Sequence, residues 1–244
     1  MKRLIGLTLW FLPLFAVAQY EPRAAGERVA HTYFSLDYNE QHEQPNWVYY
    51  RLTHDLVSGS TKRRDDFRPD PAVSTGSAAL ADYKGSPYDR GHLCPAADMK
   101  LDKTSMSETF FLSNMSPQDP SLNRGRWAQL EALVRGFVRD DRDTIYVVTG
   151  PLFFANKGAI GANEVTVPGY FYKAVYCPSR GGIGFLMPNR KVAEPVASWV
   201  VSIDLLEALT GIDFFPQLAD DVEDRIEQAA DPAVWGVGAA RRAE

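Results

Sequence analysis

Tyr88-Asp89-Arg90-Gly91-His92 sets an imidazole two residues after a guanidinium. A neutral imidazole, with an unperturbed pKa near ~6.5, accepts a proton from water at ordinary pH. Arg90 can neutralise an anionic oxygen or the charge that grows as a bond breaks, or it can pair with Asp89. Downstream lie Ser113-Asn114-Met115-Ser116-Pro117-Gln118 and Leu122-Asn123-Arg124-Gly125-Arg126-Trp127. Asn123 offers a neutral oxygen suited to a hard cation. Mg2+ keeps several waters and often takes only one or two protein groups plus a substrate phosphate. Asparagine also caps helices, and the two roles are compatible. A proton acceptor, a guanidinium and a cation ligand are the parts that hydrolysis of a phosphodiester requires.

These residues need elements to carry them. Trp127, Leu130, Val134, Phe137 and Val138 recur at helical spacing, which predicts an amphipathic helix opened by Ser121 or Asn123 and closed at Asp140-Asp141. On it Asn123, Glu131 and Arg135 drift slowly around one side and can face a common site. Glu131 can bind a metal-bound water or position Arg135, or the two can form an exposed pair one turn apart. Asn114 can orient His92, touch substrate, or simply shape a turn. Asn46 to Leu52, Thr144 to Val148 (stopped by Gly150-Pro151), Tyr170 to Tyr176 and Ile183 to Met187 read as strands. Phe110-Phe111-Leu112 is strand-like, Thr61 to Ala81 a long surface loop, and Gly91 to Pro95 a strand or turn near the site. Val200 to Leu209 reads as a helix stopped by Gly211, and Asp220 to Ala230 as a short acidic helix. Strands and separated helices without regular alternation favour α+β.

Lys2-Arg3, the apolar run Leu4 to Phe15 and Ala16-Val17-Ala18 have the form of a secretory leader cleaved after Ala18. The expectation is a signal peptide over 1–18 and a single domain over 19–244, secreted or periplasmic, with no stable membrane association. The formal charge of −5 argues against a general nucleic-acid coat, which is normally basic. A local patch remains open, with Lys62, Arg63, Arg64, Arg68, Arg90, Arg124, Arg126, Arg135 and Arg139 as its candidates, although many such charges are simply solvated. Cys94 and Cys177 can form one disulfide in an oxidising compartment. His31, His54 and His92 lack zinc-site spacing, and no Gly-x-Ser-x-Gly motif points to a serine hydrolase.

Taken together, Tyr83 to Met99, Leu112 to Gln118 and Leu122 to Arg135, with weaker stretches at Arg63 to Asp70, Thr144, Gly150-Pro151, Lys173 and Thr210 to Phe215, resemble the DNA/RNA non-specific endonuclease family, which includes the Serratia-type nuclease and endonuclease G. The similarity spans about Trp47 to Leu218. It implies a ββα-metal (His-Me finger) fold with a mixed or antiparallel central sheet, and one Mg2+, with Mn2+ as a substitute. By position it implies His92 as general base and Asn123 as metal ligand. Arg90 and Glu131 would assist catalysis, and Arg63, Asn114 and Arg135 would contact substrate. Arg64 competes with Arg63 for its place. Cys94 departs from the family, where alanine is more usual. The expected activity is endonucleolytic hydrolysis of DNA and RNA with little sequence preference, leaving 5′-phosphates. A homodimer and an inhibitor protein are compatible partners. The rival readings are a nuclease-fold toxin restrained by a partner, or a nucleic-acid-binding protein without turnover.

Overall fold

The computed structural model describes residues 20–228 and 230–238. Strands β1 (Glu27–Ala30), β2 (Phe34–Asn39) and β3 (Gln44–Leu52) form an antiparallel meander. Short helices α1 (His54–Ser58) and α2 (Leu80–Tyr83) flank a long loop. Strand β4 (Asp89–His92), helix α3 (Lys103–Glu108) and strand β5 (Met115–Gln118) come next. An irregular turn, Leu122–Trp127, then runs into α4 (Ala128–Arg139). The remainder is β6 (Ile145–Leu152), the small pair β7 (Ala159–Ile160) and β8 (Val165–Thr166), β9 (Tyr170–Cys177), β10 (Gly181–Pro188), β11 (Val200–Val201), α5 (Ile203–Thr210) and α6 (Asp220–Gln228).

The main sheet runs β1-β2-β3-β6-β9-β10-β11, antiparallel throughout. Its two faces follow from the two-residue period of a strand. Val48, Tyr50, Ile145, Val147, Val175 and Phe185 enter one core, where Leu130, Val134, Phe137 and Val138 of α4 cover them. Trp47, Tyr49, Tyr146, Val148, Tyr172 and Tyr176 enter the other, under Ile203 and Leu206 of α5 and Ile226 of α6. With helices on both faces, all of β6 is buried. The described fold exceeds the expected core on both sides: β1 and β2 precede Trp47, and Trp235 is fully buried against Phe137. Among the described residues no helix is long and apolar enough to cross a membrane.

Several expected elements shift, each for a local reason. The strand begun near Thr144 passes through Gly150-Pro151, because β3 pairs with it only as far as Thr149 and Pro151 has no N–H to give to a ladder that has ended on that side. Val200 and Val201 pair with β10 rather than opening a helix. The helix starts after Ser202, whose hydroxyl accepts the Leu205 N–H at 3.1 Å, and closes at Gly211 with φ of 70°. Phe110 to Leu112 is no full strand; only Phe111 bridges to Arg68. Within the expected surface loop Asp70, Val73, Ser77 and Ala78 are buried. Cys94 and Cys177 are buried free thiols, so the disulfide does not form.

β4 and β5 form their own antiparallel pair, with Asp89 opposite Gln118, Gly91 opposite Ser116 and His92 opposite Met115. Gly91 is needed for this close approach: a methyl there would lie 2.5 Å from Gln118 Oε1 and 2.7 Å from its Cβ. Gly91→Ala is therefore expected to lower stability by about 1–3 kcal/mol through overpacking, read as a lower urea midpoint. An unchanged midpoint would show that Gln118 moves aside freely.

Candidate active site

His92 ends β4 with its ring edge-on to Phe110 (centroids 5.0 Å apart) and tilted against Phe67 (5.7 Å). The same two aromatic rings seat two guanidiniums: Arg90 lies 4.0 Å over Phe67 and Arg63 5.0 Å over Phe110. Such stacking holds a cation in place without neutralising it, although Arg63 also donates to Asp65 at 2.7 Å, a carboxylate on the cleft wall. Burial, and then the nearby charges of Arg63 and Arg90, lower the His92 pKa to about 3. The imidazole is thus neutral at ordinary pH. Its Nε2 is buried and has no hydrogen-bond partner, so that nitrogen faces the aromatic interior and only the other ring nitrogen is open to solvent.

The chain just beyond His92 is clamped. Asn114 Oδ1 accepts the Cys94 N–H at 2.8 Å, and its Nδ2 donates to the carbonyls of Cys94 (2.9 Å) and Thr109 (2.8 Å). Asn114 is fully buried, so it does not contact substrate as the resemblance implied. It positions the strand that carries His92. Next to it Ser113 donates to Asp70, which also holds His31 Nε2 at 2.8 Å. This fixes the loop that delivers Arg63 and Phe67.

Asp89, which the sequence offered only as a partner for Arg90, joins the strand pair to the turn. Its Oδ2 accepts from Asn123 Nδ2 at 2.9 Å and Arg124 Nε at 2.8 Å, and Oδ1 accepts from Arg124 at 2.5 Å. Asp89 thus pairs with Arg124 and not with Arg90. Burial would raise its pKa, but the bonds from Arg124 and Asn123 outweigh that and hold it below the usual range. With its amide nitrogen committed, Asn123 keeps Oδ1 as its remaining polar side-chain atom at the cleft. The turn opens at Asp119 rather than at Ser121 or Asn123: Asp119 Oδ1 accepts the Ser121 N–H at 2.8 Å, and its carbonyl accepts the Asn123 N–H at 2.9 Å. Gly125 breaks the helical path with φ −113° and ψ −107°. Buried Asn189 anchors this corner by accepting the Asp119 N–H and donating to the Pro117 carbonyl.

Arg63, Phe67, Asp89, Arg90, Asn123 and Arg124 line an open cleft of about 390 Å³. Glu131 and Arg135 are not on its wall. Arg135 donates to buried Asp98 at 2.8 Å, and Asp98 also accepts from Tyr50 Oη at 3.2 Å. Arg135, expected to contact substrate, gives one guanidinium nitrogen to that ion pair and lies off the cleft wall. Glu131 is half-buried beside the same group; burial, with Asp98 opposed by Lys173 and Arg135, raises its pKa to about 7. Lys173 faces this core because β9 alternates, and its Nζ has no hydrogen-bond partner, lying 5.4 Å from Trp127 and 5.8 Å from Tyr50. The candidate basic patch therefore divides. Arg63, Arg90 and Arg124 border the cleft, while Lys62, Arg64 and Arg68 line an adjoining groove of about 650 Å³ with Lys103. Arg126 is bound to the Ala193 carbonyl and Arg139 to Asp140.

The sequence profile of a family described as DNA/RNA non-specific endonuclease matches residues 17–221. Nuclease C1 of Cunninghamella echinulata var. echinulata is 35% identical over 218 residues, which cover 81% of this chain and 86% of that one. The mitochondrial endonuclease G of Homo sapiens is 36% identical over 203 residues, 76% of this chain and 68% of that one. The crystal structure of the EndoG/EndoGI complex matches with a TM-score of 0.72 at 30% identity, over 80% of this chain and 87% of that one. The α+β, ββα-metal class thereby holds for this chain, with β4, β5 and α4 as the unit that gathers the cleft. The expected secreted or periplasmic location is corrected: the human relative is mitochondrial, and the leader read over 1–18 lies outside the described residues.

A pH test isolates His92. In the unfolded chain its imidazole titrates near ~6.5, and in the folded protein near about 3. Between these values only the unfolded chain takes up the proton. The stability present above about pH 6.5 is therefore lost as the pH falls towards 3. Replacing His92 by Asn removes this component, so its urea midpoint should fall less over that range than that of wild type. Parallel midpoints would refute the depressed pKa.

Proposed function

Because the chain belongs to the DNA/RNA non-specific endonuclease family, we infer that it hydrolyses internal phosphodiester bonds of DNA and RNA, within a single domain over 19–244. The observation that carries this reading is a neutral imidazole flanked by two stacked guanidiniums.

In this reading the imidazole of His92, through the ring nitrogen that is not buried, accepts the proton of a water that attacks phosphorus in line. Its depressed pKa keeps it unprotonated before the reaction, and the proton it gains then leaves to solvent. Arg90 and Arg63 hold the non-bridging oxygens and offset the negative charge that grows on them. Their aromatic seats fix both guanidiniums beforehand, so little reorganisation is needed as charge develops. Arg124, paired with Asp89, keeps the cleft wall in place.

A divalent cation fits the remaining donor. Asn123 presents a neutral oxygen at the cleft, with its nitrogen anchored to an anionic Asp89, which suits a cation that needs few protein ligands. We assign Mg2+, with Mn2+ as a substitute; when bound it supplies positive charge to the phosphate and the leaving 3′-oxygen. Glu131 acts from behind this ligand as a support to the helix and its water, and Arg135 holds Asp98 rather than substrate.

Lys62, Arg64, Arg68 and Lys103 extend the positive surface along the groove beside the cleft. Contacts of this kind reach phosphate and sugar and carry little sequence information, which agrees with cleavage at many sites. The EndoG neighbour was solved with EndoGI in a study of EndoG inhibition. An inhibitor protein covering the Arg63–Arg124 cleft would restrain this chain in the same manner.

Cleavage of supercoiled plasmid and of RNA with Mg2+, and with EDTA, tests the reading. His92→Ala should lose about 10²–10⁴-fold in rate, the usual contribution of a general base, while still binding nucleic acid. Asn123→Ala should lose metal-dependent cleavage. Wild-type rates in His92→Ala would sink the assignment. Tight binding without turnover by the folded wild type, in Mg2+ and in Mn2+, would favour a binding protein. Asp89→Ala should raise the Mg2+ needed for half-maximal rate by about 10–100-fold, as loss of a ligand's support does. An unchanged requirement would remove Asp89 from the cation site.

A further inference from the structure

Across the sheet from the cleft, α5 and α6 meet with carboxylates between them. Asp204 and Glu207 lie three residues apart on α5, hence on one helical face, and Glu227 comes from α6. Carboxylate oxygens of all three lie within 4.8 Å of one another. Oxygens bound to one Ca2+ at ~2.3–2.6 Å are at most about 5 Å apart, so the three are close enough to share an ion.

A second observation stands apart from this geometry. Glu227 is only 7% exposed, and its Oε1 is buried without any hydrogen-bond partner. A buried carboxylate oxygen lacking a donor is costly unless a proton or a cation satisfies it. Burial, then Glu207, Glu223 and Asp204, pushes the Glu227 carboxyl up to about 8. Glu207 is already oriented, since its Oε1 accepts the Phe214 N–H at 2.7 Å, which leaves its other oxygen available. Asp213 and Glu223 add negative charge around Glu227.

We propose that Asp204, Glu207 and Glu227 form a divalent-cation site, separate from the cleft, that takes Ca2+ and fastens α6 to α5. Ca2+ accepts six to eight oxygens in irregular arrangements and fills its remaining positions with water, whereas Mg2+ demands a near-ideal octahedron. Two helices that both pack on β10 supply only three carboxylates, which suits an ion that completes its shell with water in irregular arrangements. Ile226 already rests against Gly182 of β10, so binding next to it draws α6 onto the sheet.

Full-length protein carrying Asn123→Ala removes the cleft's cation ligand and serves as the background. Titration with CaCl2 by calorimetry and by thermal unfolding should show one saturable site and a rise in Tm. Adding Glu227→Gln should abolish both signals. Because Glu227 is buried, exposed Asp204→Asn provides a variant unlikely to disturb folding, and it should weaken binding as well. Absence of Ca2+ binding by the folded background protein would overturn the proposal. So would unchanged affinity in both carboxamide variants, and an equal rise in Tm with MgCl2 would overturn the assignment to Ca2+.

Discussion

The cleft depends on one carboxylate. Asp89 starts β4 and binds both the amide nitrogen of Asn123 and the guanidinium of Arg124. Strand and turn are thereby joined at a single point, and His92 stands three residues farther along the same strand. Charged hydrogen bonds of this kind are stronger than neutral ones, and they outweigh the burial that would otherwise protonate the acid. The bond also settles which end of Asn123 faces the cleft. An amide that spends its nitrogen on a carboxylate offers its oxygen to whatever lies opposite.

Behind that surface a group of buried charges ties α4 to the sheet and to the segment after β4. Arg135 reaches Asp98, while Glu131 and Lys173 lie in the same core. Buried charges are costly singly and tolerable in opposite-sign groups, so these residues depend on one another's presence. Asn114 clamps the same segment from the β5 side. His92 therefore sits between two fixed points, one polar and neutral, the other ionic. Its own surroundings are aromatic, and the two cations on those rings add to the burial that keeps it unprotonated.

The two faces of the main sheet divide the labour. One face carries α4 and, through it, the cation ligand and the buried charge group. The other carries α5 and α6, with an excess of acids where no catalytic group lies. Arg63 and Arg90 border the cleft and lysines and arginines line the groove, apart from the acids of α5 and α6. The negative formal charge of the chain is thus no obstacle to an anionic substrate, since the acids and bases are segregated.

The sequence by itself determined the periodic elements and singled out chemical groups that the structure gathers near one cleft. Alternation in Asn46–Leu52 and Tyr170–Tyr176, and the helical spacing from Trp127 to Val138, are local properties and survive in the structure. His92 and Asn123 were legible because their types and spacing match a known constellation. Tertiary structure alone decided what each side chain faces. Asn114 and Arg135 are polar residues with several roles open in the sequence, and long-range partners at Cys94, Thr109 and Asp98 decide what they bind. Asp89, Phe67, Phe110 and Lys173 gave no comparable signal, because a carboxylate bridging two segments, or an aromatic seat for a cation, exists only once distant stretches of chain meet. Val200–Val201 and Pro151 show the same rule for the backbone: whether a residue joins a strand depends on which neighbour is there to accept its hydrogen bonds.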